Sequence, residues 1–186
     1  LAIGAFSFFG TVGTQITISS NGWIRFDGTA TDSDAFSDTT RFLDGTVGAG
    51  TTNAPCIAAL WGDLDFTAAF TGLTQPGSIT IEENLAQKTV KVSYINGGYI
   101  FGGGFGNVVV NMNFSALAPA IDLDYTAFAN QFPQGFLFVG ASDGDNAIGN
   151  DVEADFVTAG AVNSYTAAGT FETYYQDFAG TSGAVP

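Results

Sequence analysis

Carboxylates are the groups with which this chain could do chemistry, because most others are missing. It has 186 residues, with 18 Asp and Glu against 4 Lys and Arg, no His and a single Cys. Without histidine, neither a Ser-His-Asp nor a Cys-His nucleophile system can be built, and no His-bearing zinc site either. Cys56 alone cannot make a thiolate metal site, and within Cys56-Ile57-Ala58-Ala59-Leu60-Trp61 it reads as a buried thiol. A glycosidase needs two carboxylates about 5–10 Å apart. Asp63, Asp65, Glu82, Glu153 and Glu172 are candidates, but no spacing pairs them. The expectation is therefore no enzyme.

Calcium is better motivated. Asp143-Gly144-Asp145-Asn146-Ala147-Ile148-Gly149-Asn150-Asp151, followed by Glu153, sets oxygen ligands at short spacing around glycines. A hard cation takes about six to eight such oxygens from a flexible loop. Asp143, Asp145, Asn146, Asp151 and Glu153 are the candidate Ca2+ ligands, with a looser second cluster at Asp32, Asp34 and Asp38. The match to an EF-hand loop is poor, and Asp-Gly-Asp-Asn is also plain turn chemistry. Sugar contacts could come from Trp23, Tyr99, Tyr174 and Tyr175 if exposed, or from the row Asn107, Asn111 and Asn113. Core placement is the competing reading for the aromatics, and a solubilising face for the Asn row. Asn113-Phe114-Ser115 is the N-glycosylation pattern.

The net charge of -14 excludes nucleic acid as a partner, since four cations cannot neutralise a phosphate backbone. It also disfavours anionic membrane surfaces, and no apolar run is long enough for a membrane helix. A chain that starts at Leu1, rich in Gly, Thr, Ser and Asn, fits a secreted or cell-surface protein with its leader removed.

The elements that must position these groups are strands. Apolar and polar residues alternate, and Gly, Asn, Asp and Thr clusters interrupt them about every ten residues, as in an all-β antiparallel sandwich of jelly-roll-like type. Gln15–Ile18 and Trp23–Asp27 form a hairpin around Ser20-Asn21-Gly22, with Ile16, Ile18, Ile24 and Phe26 facing the core. A second hairpin joins Ser78–Glu83 to Lys88–Tyr94 through 84–87. It pairs Glu83 with Lys88, Ile81 with Val90, Thr80 with Lys91 and Ile79 with Val92. In Asn107–Phe114, Val108, Val110, Met112 and Phe114 face inward. Later strands are expected at 136–140, 152–157 and 170–175, with polar loops at 28–40, 44–54 and 141–151.

Leu1 to Gly10 is uncharged and apolar on both faces if extended: Leu1, Ile3, Ala5 and Phe9 point one way, Phe6 and Phe8 the other. Such a strand needs cover on both sides. The expected organisation is an N-terminal donor-type strand at 1–12 and a single β-sandwich domain at 13–186.

Three segments resemble a known family. They are 16–26 (ITISSNGWIRF), 55–65 (PCIAALWGDLD) and 77–81 (GSITI). Their order looks like the nidogen-type extracellular domain and its relatives in secreted prokaryotic proteins, over roughly residues 14–142. Ala59-Leu60 stands where that pattern usually has Pro-Phe. The resemblance implies a β-rich extracellular module with structural or adhesive roles and no catalytic residue.

Two functions are expected from these readings. In the first, the chain is a structural subunit of an extracellular, pilus-like filament. Leu1, Ile3, Ala5, Phe6, Phe8 and Phe9 of one copy complete the sandwich of the next, and the chain's partner is itself. Nine extended residues span roughly 30 Å, the length of a sheet edge, and head-to-tail insertion does not close. In the second, the chain is an adhesive or carbohydrate-binding module for surface glycans, with the N-terminal strand folded back on its own domain.

Overall fold

The alternation of the sequence becomes strands, which among the described residues sort into two six-stranded sheets and one separate two-stranded ribbon. The computed structural model describes residues 2–8, 11–26, 30, 39–49, 53–67, 75–99, 104–115, 120–127, 138–142, 144, 152–153, 162–166 and 174–177. In chain order these are β1 (Ala2–Phe8), β2 (Thr11–Gln15), β3 (Thr17–Ile18), β4 (Trp23–Arg25), α1 (Thr39–Leu43), β5 (Cys56–Trp61), β6 (Leu64–Asp65) and β7 (Ser78–Asn84). There follow β8 (Thr89–Tyr99), β9 (Gly104–Asn113), β10 (Ala120–Asp124), β11 (Phe138–Ser142), β12 (Val152–Glu153), β13 (Val162–Thr166) and β14 (Tyr174–Asp177). The sequence reading names no strand at β10 or β13, and places β11 and β14 a few residues early.

The first sheet runs β12-β14-β11-β5-β4-β3. The second runs β13-β10-β9-β8-β6, with β7 also on β8. Pairing is antiparallel except for β12 with β14. Ile24, Phe26, Ile57, Leu60 and Val139 of the first sheet share one core with Val90, Val92, Val108, Val110, Met112 and Leu123 of the second. This is the all-β sandwich that the alternation implies.

The expected core residues of the first hairpin hold their places: Ile16, Ile24 and Phe26 are buried, and Ile18 packs partly buried against them. Its turn is no ordinary surface turn. Asn21 and Gly22 are buried, and the turn docks on the end of β5. The Gly22 carbonyl accepts from both Ala59 N (2.8 Å) and Leu60 N (3.2 Å). Two donors on one acceptor, with a register shift between β5 and β11 here, mark a β-bulge. The bulge reverses the alternation of β5. Ile57, Ala59 and Leu60 enter the main core, whereas Cys56, Ala58 and Trp61 face the other way.

That other face is buried too. Trp23, Phe42, Val47, Cys56, Ala58 and Trp61 form a second core, roofed by α1 and the segment after it. Arg25, fully buried beneath this roof, donates from one guanidinium nitrogen to the carbonyls of Gly45 and Val47. Cys56 is the buried thiol expected, and its Sγ lies 3.6 Å from the Phe42 carbonyl.

The second hairpin has a different register from the one expected. Ile81 faces Val92, Glu82 faces Lys91 and Asn84 faces Thr89. The loop is 85–88 rather than 84–87. The Asn84 side chain accepts from Gln87 N and donates to Gln87 Oε1, both at 3.1 Å. Lys88 takes a left-handed backbone, φ 53°. Asn84 thus stays paired as the last strand residue. Each partner moves by two positions, which preserves the faces, and the ion pair becomes Lys91–Glu82 at 3.0 Å.

Two tyrosines of the second sheet tie it to the first. Tyr94 donates to the Ser19 carbonyl (3.2 Å), and Tyr125 to the Ala59 carbonyl (2.6 Å). Burial pushes the Tyr94 hydroxyl well above the ordinary tyrosine range. Tyr99 is raised in the same way by burial, with Tyr125 adding to it.

These bonds have measurable consequences. A folded-state tyrosine pKa above the unfolded value of about 10 contributes stability that is intact below pH 10 and lost as the pH rises above it. Urea stability is therefore expected to be flat from pH 8 to 9 and to fall beyond pH 10. Tyr94→Phe should lower stability at pH 8 by about 1 kcal/mol and make the alkaline fall shallower; an unchanged alkaline slope would count against it. Gly22 has φ +81°, and a Cβ there would lie 2.3 Å from the Leu60 carbonyl oxygen. Gly22→Ala should cost about 2–4 kcal/mol in denaturant unfolding, far more than an alanine at exposed Ser20.

Candidate assembly surface

β1 belongs to neither sheet of the sandwich. Among the described residues it pairs with β2 only, antiparallel, matching Ala2 with Gln15, Phe6 with Gly13, Ser7 with Val12 and Phe8 with Thr11. A register irregularity falls between Ala2 and Phe6. Of the expected polymerisation residues, Ile3, Ala5, Phe6 and Phe8 lie on β1; Leu1 and Phe9 lie outside the described residues. The expected boundary between 12 and 13 falls inside β2. Val12 on β2 is 75% exposed, and Thr14 and Gln15 are exposed as well.

At the side of the sandwich, β3 ends the first sheet and β7 flanks β8 in the second. Here the core-facing side chains are not fully covered. Ile18 on β3 and Ile79 on β7 are partly buried against the main core. Ile81, two residues along the same face of β7, is 46% exposed, and Leu85 in the following loop is 62% exposed. The two edges lie on one side of the molecule: Tyr94 faces Ile79 in register, and its hydroxyl reaches Ser19, the residue after Ile18.

The outer face of the second sheet is polar. Register sets Glu82, Lys91, Asn111, Asp122 and Ser164 in one row across five strands. With Asn84, Thr89 and Asn113 of the next row, Glu82, Lys91, Asn111 and Asp122 border a groove of about 620 Å³. The Asn row of the sequence is therefore real: Asn107, Asn111 and Asn113 are half-buried, opposite in facing to the buried Val108, Val110 and Met112. Asn113 Oδ1 accepts from Ser115 N at 2.9 Å.

The other expected residues are dispersed. Trp23 and Tyr99 are buried and offer no stacking platform. Trp23 belongs to the second core, and Tyr99 packs on Phe105 at 5.6 Å. The side chains of Tyr174 and Tyr175 lie outside the described residues. Asp63 is half-buried in the turn between β5 and β6, Asp65 accepts from Thr67 N and Oγ1 (2.8 and 2.7 Å), and Glu82 pairs with Lys91. Glu172 and the side chain of Glu153 lie outside the described residues.

Of the candidate calcium residues, Asp143, Asp145, Asn146 and Asp151 also lie outside the described residues, as do Asp32, Asp34 and Asp38. Among the described residues no group of three or more His, Cys, Asp or Glu could hold a metal ion. Gly144 is described. It is buried at φ +76°, donates to Ser142 Oγ (3.0 Å) and sits so close to Ala54 that a Cβ would meet the Ala54 carbonyl oxygen at 2.4 Å.

The uncovered isoleucines had a signal that sequence reasoning missed. Ile79 and Ile81 sit on a strand that ends in Glu82, Glu83 and Asn84, a polar cluster that marks an edge rather than a sheet centre. The buried roof over Arg25 had one as well, in the unbroken apolar run of β5, which is what a strand covered on both faces looks like.

No curated protein and no solved structure matches the chain. One family model does, described as NIDO related, over residues 2–84. That span includes all three resembling segments and also β1 and β2; it stops at the end of β7. Nidogen-related domains are typically extracellular, and no helix among the described residues is long and apolar enough to cross a membrane. Within the match, the Ser19–Gly22 turn, the β5 bulge and the Gly62–Leu64 bend are stitched together by backbone hydrogen bonds, and residues 2–84 are similar to a nidogen-related domain.

Proposed function

We propose that this chain is a structural subunit of an extracellular filament, polymerised by donation of its N-terminal strand to a neighbouring copy. The observation that carries this reading is the position of β1. Among the described residues it pairs with β2 and with no strand of either six-stranded sheet. An isolated two-stranded ribbon is marginally stable in water, and the sequence of this one, with Ile3, Phe6 and Phe8, is strongly apolar. Moving such a strand into a neighbour buries it at little cost to the donor's own sandwich. Head-to-tail transfer does not close on itself and so extends into a fibre. The net charge of -14 supports the same reading, since it keeps a chain with 18 Phe dispersed until a specific contact is made.

A second reading, a glycan-binding surface module, is favoured by the polar groove on the second sheet. With Trp23 and Tyr99 buried, binding would rest on hydrogen bonds of sugar hydroxyls with the Asn84, Asn111 and Asn113 amides and to the accepting Asp122 carboxylate, without stacking.

Two experiments test these readings. Negative-stain microscopy and sizing chromatography of the full chain should show filaments, and deletion of residues 1–10 should leave monomers with an unchanged β-type circular dichroism spectrum. Filaments from the deleted protein would refute strand donation. For the second reading, binding to immobilised neutral glycans should drop about ten-fold or more in Asn111→Ala, as expected when buried hydrogen bonds are removed; absence of binding by the unaltered chain would end it.

A further inference from the structure

We infer that the seat for the donated strand is the open side of the sandwich between β3 and β7, lined by Ile18, Ile79 and Ile81. This inference rests on the strand-donation reading and supplies its missing half. Ile18 and Ile79 are among the few hydrophobic side chains that pack on the main core while only partly buried, and Ile81 beside them is 46% exposed. Here the first sheet stops at the two-residue β3, while the second continues to β7.

The occupant is β1 of a second copy. β1 and β7 are both seven residues long, so a donated β1 would run the length of the exposed apolar strip. β7 presents an edge to which no strand pairs among the described residues, and an edge of this kind is a template for strand addition. Glu82 and Glu83 lie at the end of that edge, in a chain of net charge -14. They would repel most surfaces of a second copy, but Leu1 to Gly10 has no charge to repel. Phe6 and Phe8, on one face of the strand, supply the apolar side chains such a seat needs. Ile81 stands 46% exposed at this edge, and Val12, Thr14 and Gln15 on β2 are exposed as well.

The test uses two variants of the full chain and their mixture. Deletion of residues 1–10 removes the donor and keeps the seat; Ile81→Asp blocks the seat and keeps the donor. Each variant alone should remain monomeric, and their mixture should give one-to-one heterodimers on a sizing column. Ile81→Asp should raise the concentration needed for assembly about ten-fold or more, because a carboxylate replaces the apolar side chain that the donated strand would cover. Because Ile81 is already half exposed, its melting temperature should stay near that of the unaltered chain. Ile81→Thr, which keeps the β-branched side chain, is the second variant if the aspartate unfolds the protein, and it should weaken assembly to a smaller degree. If Ile81→Asp assembles like the unaltered chain while the deletion does not, the seat is wrong and donation stands. Assembly by both variants would overturn the seat and donation together. If the unaltered chain gives closed dimers that Ile81→Asp abolishes, the seat stands and the filament reading falls.

Discussion

One carbonyl organises the N-terminal half of this molecule. The Gly22 oxygen receives hydrogen bonds from two successive amides of β5, Ala59 and Leu60. The position must be glycine, because its backbone is left-handed and its Cα lies against Leu60 with no room for a side chain. Neighbouring groups extend the contact. Asn21 Oδ1 accepts from Leu64 N, the Asn21 carbonyl accepts from Gly62 N, and Ser19 Oγ accepts from Asn21 N. A hairpin turn normally belongs to solvent, because its polar backbone groups need partners. This one is buried because β5 and the bend after it provide them.

The bulge that results sets what each face of β5 does. It sends Leu60 into the main core and Trp61 to the outer side, where Trp23, Phe42 and Val47 surround it. That outer side would be an exposed apolar patch without the roof of α1 and the residues after it. Arg25 holds the roof from below. Charge is rarely buried without satisfaction; here the guanidinium donates to the carbonyls of Gly45 and Val47, in the turns that follow the helix. The first sheet is therefore covered on both faces around β4 and β5, whereas the second keeps a polar outer face. This asymmetry leaves two surfaces for contact: the polar groove across β7 to β10, and the uncovered isoleucines at the β3 and β7 edges.

Much of the fold was legible in the residues. Period-two alternation located β7, β8 and β9 and assigned Val90, Val92, Val108, Val110 and Met112 to the core. It worked because each of these strands has one wet face. It failed for β5, whose two buried faces erase the alternation, and for β13, where Asn163 and Ser164 break it; β10 was passed over although Ile121 and Leu123 alternate with Asp122 and Asp124. The register of the second hairpin was misjudged because the left-handed backbone of Lys88 and the Asn84–Gln87 hydrogen bonds are local conformational choices that periodicity does not encode. Of the candidate surface, the apolar nature of residues 1–10 was plain. The isoleucines of the proposed seat looked like ordinary core, since Ile79 and Ile81 alternate as buried residues do.

By itself the sequence determined the chemistry available and the class of fold. The absence of histidine and the scarcity of cations rule out whole families of sites whatever the fold, because no arrangement can supply a missing functional group. Alternation determined the sandwich, because each amphipathic strand must hide one face. Tertiary structure decided which apolar residues are covered. Trp23 and Tyr99 are buried, whereas Ile81, with the same local pattern as Val90, stands half exposed. The reason is that burial depends on what lies opposite. The end of the first sheet at β3 and the open β7 edge of the second are set by how the strands assemble, and no single strand carries them.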